Sequence, residues 1–340
     1  MFTYLRLPTT LNDIMYGSVV KDVLRAYGIE YTAIYDHQKG YRNEIWPVRT
    51  VTDQMINVTF YKREDGIVGR IQRADAVSEY LVTRGMQTRQ RFDTRILQVR
   101  NSDVSTSVGV YTYLPGKTIP WEAYTMAHLK LLGKTMSDMH ALLAAMPNDP
   151  ALPLVYDEYY AIIKRMYRYF SQSTVKSAMK QKLQLSIDTA NIESHGSYLK
   201  ECQLLPGQQA LHMDFVRGNI LFNGSEPTGD LVISGVLDFE KTAFGHPVMD
   251  IARTLAFLLV DCKYKAPEKT EKYFLYSGYQ KRGSAKDIRD DLLRIGLVRL
   301  FLTYDFYKFL RHNPYESLHE NEHYLRTRDI LLEHNMIRCI

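Results

Sequence analysis

The chain has 340 residues, of which 45% are hydrophobic and 24% charged, enough for one large globular domain or two lobes. Its three cysteines form no C-x-x-C pair, which argues against a disulfide scaffold or a cysteine-rich zinc module. The net charge of +5 is not clustered, and no apolar stretch approaches the ~20 residues of a membrane span. We therefore expect a cytoplasmic protein whose partners include neither nucleic acid nor membrane. The composition leaves the oligomeric state open.

The N-terminal third of the chain has the pattern of a small β-rich lobe. After a helical pattern in the first 30 residues, β-branched and aromatic residues predict strands at 31–35, 45–51 and 54–62. A helix over 67–84 is expected to end at Gly85, and two further strands are predicted at 94–99 and 107–113. These elements predict an N-terminal lobe over residues 1–113.

The composition changes at Leu114-Pro115-Gly116, and long helical patterns then dominate. Helices are predicted over about 156–200 and again from Val248, with a short β region over about 209–238 between them. One helix face is marked by apolar residues three and four apart, at Leu129, Leu132, Met136, Met139 and Leu143. We therefore predict an α+β chain with a larger, mainly helical lobe over residues 114–340. Ligands commonly bind in the cleft between two lobes.

The most informative segment holds Asp214 and Asn219, five residues apart in a loop that contains a glycine. A strand, a turn and a second strand follow, and the second strand leads to Asp238, so a hairpin is expected to bring Asn219 and Asp238 close together. Phosphoryl transfer needs such groups, because Mg²⁺ prefers oxygen ligands and the acceptor hydroxyl must lose a proton. We predict that Asn219 and Asp238 bind magnesium, that Asp214 is the catalytic base and that His212 braces the loop.

The pattern H-x-D-x-x-x-x-N from His212 to Asn219, followed by D-F-E at Asp238, resembles the aminoglycoside phosphotransferase family. That family includes antibiotic kinases and choline kinase-like relatives. The stretch G-H-P-V-M-D-I-A around Asp250 is similar to the family's G-x-P-x-x-D-[LI]-A, in which the aspartate braces the catalytic loop. The resemblance implies a bilobal, protein-kinase-like fold. It also implies transfer from ATP, with GTP as the alternative donor, to a hydroxyl of a small molecule in the presence of Mg²⁺.

The resemblance further implies residues that bind the nucleotide. Tyr113 and Leu114 match the hinge and would contact the adenine. A lysine on the third strand should bind the phosphates, and Lys62 is the candidate. Its partner should be acidic and lie on the next helix, where Asp75 and Glu79 are one turn apart. The sequence leaves the choice between these two open.

Two other functions remain to be weighed. The segment from His319 to His323 fits H-E-x-x-H, and on a helix both histidines would share a face and could bind zinc, with Glu320 as the base of a hydrolase. A nucleotide-binding pseudokinase is the third possibility, although the complete Asp–Asn–Asp set argues against it. No feature of the sequence identifies the phosphate acceptor.

Overall fold

The computed structural model describes residues 4–7, 14–39, 43–101, 104–149, 151–225, 228–262, 264–280 and 291–340. The chain forms two compact units, one comprising Met1–Gly116 and Ser234–Glu240 and the other Lys117–Ile233 and Lys241–Ile340. The segment that carries Asp238 therefore belongs to the first unit, which a single boundary near residue 114 does not anticipate. Within the described ranges, no helix is both long enough and apolar enough to cross a membrane.

A seven-stranded sheet forms the first unit. Its elements in chain order are β1 (Tyr4–Leu7), α1 (Ile14–Tyr27), β2 (Tyr31–Ile34), β3 (Gln38–Lys39), β4 (Glu44–Thr50), β5 (Met55–Phe60), α2 (Ile67–Val82), β6 (Leu97–Asn101) and β7 (Val104–Thr112). The strand order is β1-β6-β7-β5-β4-β2, with β3 beside β4. Only β1, which the sequence did not predict, pairs in parallel among the described strands of this sheet.

The two faces of this sheet differ in character. Alternate residues of β5 join α1 in one apolar core, because successive side chains of a strand point to opposite faces; this core includes Val20, Val23, Leu24, Ile56, Val58 and Phe60. On the other face, Tyr61 and Tyr111 pack with Ile71 of α2. The strand predicted to reach residue 62 ends at Phe60, so Lys62 lies in the loop beyond it.

The second unit is mainly helical. Its helices are α3 (Met126–Leu143), α4 (Val155–Ser171), α5 (Ser173–Ala178), α6 (Thr189–Leu204), α7 (Val248–Asp261), α8 (Pro267–Glu271), α9 (Asp291–His312) and α10 (Glu322–Glu333), with π-helices at Met179–Leu183 and Lys272–Tyr279. Short strands complete it: β8 (Leu185–Ile187), β9 (Gln209–Leu211), β10 (Ile220–Asn223), β11 (Val232–Val236, which runs into the first unit), β12 (Ala243–Gly245) and β13 (Ile337–Cys339).

In the described part of the chain the remaining strands form three two-stranded sheets, β10 with β11, β9 with β12, and β8 with β13. The first of these is the predicted hairpin. In the second, Leu211 lies opposite Ala243, so the segment that follows Leu211 runs close to the segment that precedes Ala243. The third, between β8 and β13, joins strands that local patterns did not predict.

Helix α3 approaches the π-helix Lys272–Tyr279 very closely. A Cβ atom added at Gly133 would lie only 1.9 Å from the backbone oxygen of Phe274, so this contact requires glycine. The close packing brings the C-terminal part of α3, with His140, next to Tyr279.

Candidate active site

The loop that carries Asp214 connects β9 to β10 and ends in a 3-10 turn at Arg217–Asn219. Within this loop Met213 has a φ of 58°, a left-handed conformation that costs free energy for a residue with a side chain. The carboxylate of Asp250 stabilises it by accepting hydrogen bonds from the backbone N–H of His212 (2.8 Å) and of Met213 (2.6 Å). The bracing role expected for Asp250 is therefore confirmed.

Asp250 is completely buried in the first turn of α7. Burial alone would raise its pKa, but the hydrogen bond from His140 and the neighbouring backbone donors hold that pKa below its ordinary value. The Nε2 of His140 lies 3.1 Å from Asp250 Oδ2, and its Nδ1 lies 2.7 Å from the hydroxyl of Tyr279. Asp250 is therefore a buried, ionised anchor with a partner for each oxygen.

Three polar groups surround Asp214, whose own exposure is 9%. The ammonium of Lys241 donates to its Oδ1 at 2.7 Å. The side-chain amide of Asn219 donates to its Oδ2 at 3.2 Å and to its backbone oxygen at 2.9 Å. The backbone N–H of Asp214 donates to Nδ1 of His212 at 3.1 Å, which is the bracing bond expected of that histidine. The Asp214 carboxylate is thus fixed in direction and charge-paired.

The sequence prediction did not include Lys241 in the site. Its signal was present, because the D-F-E motif continues into a lysine, but nothing local connects that lysine to Asp214. The pairing of β9 with β12 makes the connection by bringing the two segments together. A charge-assisted hydrogen bond from this ammonium orients the Asp214 carboxylate.

Asn219 and Asp238 each carry an oxygen of the kind that binds a hard cation. Because the Asn219 amide nitrogen is used by Asp214, its carbonyl oxygen is the atom left to act as a ligand. Asp238 follows β11 with a φ of 59°, and its Oδ1 accepts a hydrogen bond of 3.4 Å from the backbone N–H of Glu240. A carboxylate and a carboxamide oxygen suit Mg²⁺. Their joint role in binding metal stays a prediction.

The predicted pairing of Lys62 with Asp75 is not the one that the structure shows. Lys62 is exposed, and its backbone N–H donates to Asn43 at 3.2 Å. The carboxylate of Asp75 is 4% exposed and pairs instead with Arg89 at 3.2 Å and Arg91 at 2.5 Å. The physical reason is strand alternation: Tyr61 is the residue that faces α2, so a strand continued past Phe60 would turn Lys62 to the opposite face.

The other nucleotide-binding candidates also have defined positions. Glu79, the alternative partner, is exposed on α2 and makes no ion pair among the described residues. Tyr113 is 37% exposed, and its backbone N–H donates to Met55 at 3.2 Å; Leu114 is half-buried. Contact of this hinge with an adenine stays a prediction.

The zinc hypothesis fails on local structure. His319 lies in a 3-10 helix, Tyr315–Glu320, whereas His323 lies in α10, and the side chain of Asn321 caps the start of α10 by accepting from the Tyr324 N–H. The two histidines therefore do not share one face of a continuous helix. Among the residues that the structure describes, no group of three His, Cys, Asp or Glu side chains could hold a metal ion.

A second carboxylate near the loop, Asp261, is poorly compensated. Its oxygens lie 3.9 Å from the Nε of Arg217 and 3.6 Å from the Nδ1 of His323. Burial raises the pKa of Asp261 to about 6, although Arg217 acts in the opposite direction. Asp261 is also the last residue of α7, where the helix dipole disfavours a negative charge. Its charged form therefore opposes folding.

Replacing Asp261 with asparagine is expected to raise the free energy of unfolding at neutral pH by roughly 1–3 kcal/mol. Because its native pKa lies above the unfolded value, this group lowers stability as the pH rises from ~4 to ~6 and keeps it lowered above that range. Urea unfolding of both proteins across this range measures the effect, with Asp157→Asn on an exposed face as the control. A difference that does not grow with pH would contradict this explanation.

Comparison with solved structures identifies the fold as that of small-molecule kinases. The structure is similar to an amicoumacin kinase solved with AMP-PNP and Ca²⁺ (TM-score 0.69, 14% identity, covering 95% of this chain and 97% of that one). It is also similar to a microcompartment-associated aminopropanol kinase (TM-score 0.68, 15% identity, 94% and 100% covered) and to the GDP complex of aminoglycoside 2'-phosphotransferase-IIIa (TM-score 0.62, 15% identity, 94% and 100% covered). The predicted α+β, kinase-like fold is confirmed.

The family follows from the sequence comparisons. A model of the phosphotransferase enzyme family (APH) matches residues 37–262. The chain belongs to this family, as its motifs predicted. It is also 27% identical over 173 residues to hydroxylysine kinase from Bos taurus, a match that covers 46% of this chain and 42% of the bovine protein. The match thus spans less than half the length of this curated relative.

Proposed function

We propose that this protein is a kinase that transfers the γ-phosphoryl group of ATP to a hydroxyl of a small molecule. The observation that carries the proposal is the fixed Asp214 carboxylate, which Asn219, Lys241 and the Asp250-braced loop hold in one direction. A general base must be oriented toward the proton that it removes, and these hydrogen bonds favour one orientation of the carboxylate. The three free cysteines agree with a cytoplasmic location as part of the proposal.

In the proposed step, Asp214 accepts the proton of the acceptor hydroxyl as the oxygen forms a bond to the γ-phosphorus. The bond between that phosphorus and the β,γ-bridging oxygen breaks, and ADP leaves with the electron pair. Lys241 holds the carboxylate in place and partly offsets its charge in the ground state. Asn219 fixes the second carboxylate oxygen, so that Oδ1 and Oδ2 have different surroundings.

Asn219 and Asp238 are the residues that would bind magnesium, since the donor set of one carboxamide and one carboxylate oxygen fits this ion. When bound, Mg²⁺ supplies charge neutralisation at the phosphates. The family similarity supports ATP, while a relative solved with GDP makes GTP a necessary comparison. Tyr113 and Leu114 are proposed to flank the adenine.

The acceptor is proposed to carry both a hydroxyl and an amino group. Support comes from three similar proteins, a hydroxylysine kinase, an aminopropanol kinase and an aminoglycoside phosphotransferase. Hydroxylysine therefore heads the list of compounds to test, followed by amino alcohols and aminoglycosides, with neutral sugars as a comparison.

The test is acceptor-dependent release of nucleoside diphosphate by the purified full chain, with mass spectrometry of the acceptor. ATP and GTP are supplied separately with Mg²⁺, and parallel reactions contain a chelator or no acceptor. We expect one acceptor to gain a phosphoryl group in proportion to the ADP released, and the chelator to stop the reaction. Absence of nucleotide binding, or release of inorganic phosphate without an acceptor, would overturn the proposal.

A further inference from the structure

An ion-pair cluster in the first unit offers a cation that the family comparison does not indicate. Arg89 donates from its Nη2 to Oδ1 of Asp75 at 3.2 Å, and its guanidinium lies 3.9 Å from the centre of the Tyr111 ring. Tyr111 in turn contacts Asp75 through its hydroxyl at 3.3 Å. Arg89 is thus held by a buried carboxylate on α2 and by an aromatic face.

The backbone next to Arg89 runs beside the segment that leads to Asp238. Thr88 forms a parallel bridge with Val236, and the Val236 N–H donates to the Gln87 oxygen at 2.9 Å. Arg89 is one residue beyond this bridge and Asp238 is two residues beyond it, within the same unit. The carboxylate of Glu240, two residues further, also acts on the charge of Arg89. The arginine therefore belongs to the surroundings of the proposed metal ligand.

The donors of the two arginines differ in how fully they are used. Arg91 donates from Nε to Asp75 and from Nη1 to the Thr94 oxygen, so it is committed to the cluster. A guanidinium has five N–H donors, and within the described part of the chain Arg89 uses only Nη2, for Asp75. The side chain of Arg89 is not completely buried, since 14% of it is exposed. Arg89 therefore has donors left for a ligand.

We propose that Arg89, oriented by Asp75 and Tyr111, binds the phosphates of the nucleotide, the role that the family resemblance gives to Lys62. This inference rests on the proposed function. A planar guanidinium binds phosphate oxygens through two parallel hydrogen bonds, which a lysine ammonium cannot do. Asp75, one of the two acidic residues considered as the partner of Lys62, is already bound to this arginine.

The test compares the binding of Mg²⁺–ADP with that of adenosine, which lacks phosphates, to wild type, Arg89→Ala and Arg89→Lys by calorimetry. We expect Arg89→Ala to weaken ADP binding about 10- to 100-fold, the effect of losing a charge-assisted hydrogen bond, and to leave adenosine binding unchanged. Arg89→Lys should recover only part of the loss. The matched control is Arg84→Ala, which removes an exposed arginine that also stacks on a tyrosine.

Each outcome separates this inference from the proposed function. If wild type binds ADP and Arg89→Ala binds it equally well, the role of Arg89 is refuted while the kinase proposal stands. Loss of adenosine binding together with ADP binding would make Arg89 a structural residue and refute the inference as well. A Lys62→Ala protein that alone loses ADP affinity would return the role to Lys62. Failure of wild type to bind either nucleotide or adenosine would overturn both proposals.

Discussion

A protein with asparagine in place of Asp214 is expected to transfer phosphoryl groups about 10²- to 10⁴-fold more slowly, the usual contribution of a general base. The substitution keeps the shape of the side chain and can still accept one hydrogen bond from Lys241. It removes the negative charge that takes the proton. The affinity for Mg²⁺–ADP should change by less than about threefold, because in the proposed mechanism Asp214 contacts the acceptor and not the nucleotide. The loss should therefore appear in the rate of the transfer step, which single-turnover kinetics measure directly.

The appropriate control is the same substitution at Asp157, an exposed carboxylate on α4, which should leave transfer unchanged. Thermal unfolding of both variants shows whether a loss of rate reflects a loss of folded protein. Transfer by the Asp214→Asn protein at the wild-type rate would remove Asp214 from the mechanism. A large loss of nucleotide affinity would instead assign Asp214 to the binding of the metal or the phosphates.

Features that depend on neighbouring residues in the chain were predictable from the sequence. The apolar positions of α3 recur at helical spacing, and all of those predicted to face the core are buried, namely Leu129, Leu132, Met136, Met139 and Leu143. The Asp214–Asn219 pair was predictable for the same reason, because both side chains belong to one short loop. Gly85, expected to follow α2, has a φ of 85° and lies just beyond its end.

Contacts between distant segments were not predictable in this way. Lys241 reaches Asp214 only because β9 pairs with β12, and Arg89 lies near Asp238 only because the segment around Thr88 pairs with Val236. Neither arrangement leaves a periodic signal in the sequence. The break between His319 and His323 did have a local signal, because asparagine at position 321 is a favoured helix N-cap.

The largest effect on stability is expected at Asp250. In Asp250→Asn, an amide N–H₂ replaces one acceptor, so that a buried donor faces either the Met213 N–H or the His212 N–H, and in the second case it also takes the acceptor next to His140. We expect the free energy of unfolding to fall by roughly 3–5 kcal/mol, because hydrogen bonds to a buried charged acceptor are lost. Urea unfolding at neutral pH measures this loss. The left-handed backbone at Met213 should also relax, so that kcat falls in the protein that remains folded.

The pH dependence distinguishes the charge of Asp250 from its shape. Because its native pKa is depressed, the ionised group adds stability above its unfolded pKa, near ~3.9, and this contribution is lost as the pH falls through the native value. The gap between wild type and Asp250→Asn should therefore be full at neutral pH and shrink in acid. Asp188→Ala, which removes an exposed N-cap of α6, serves as the control and should cost only ~1 kcal/mol without affecting kcat. A constant gap at every pH would mean that packing, and not the ionised carboxylate, holds the catalytic loop.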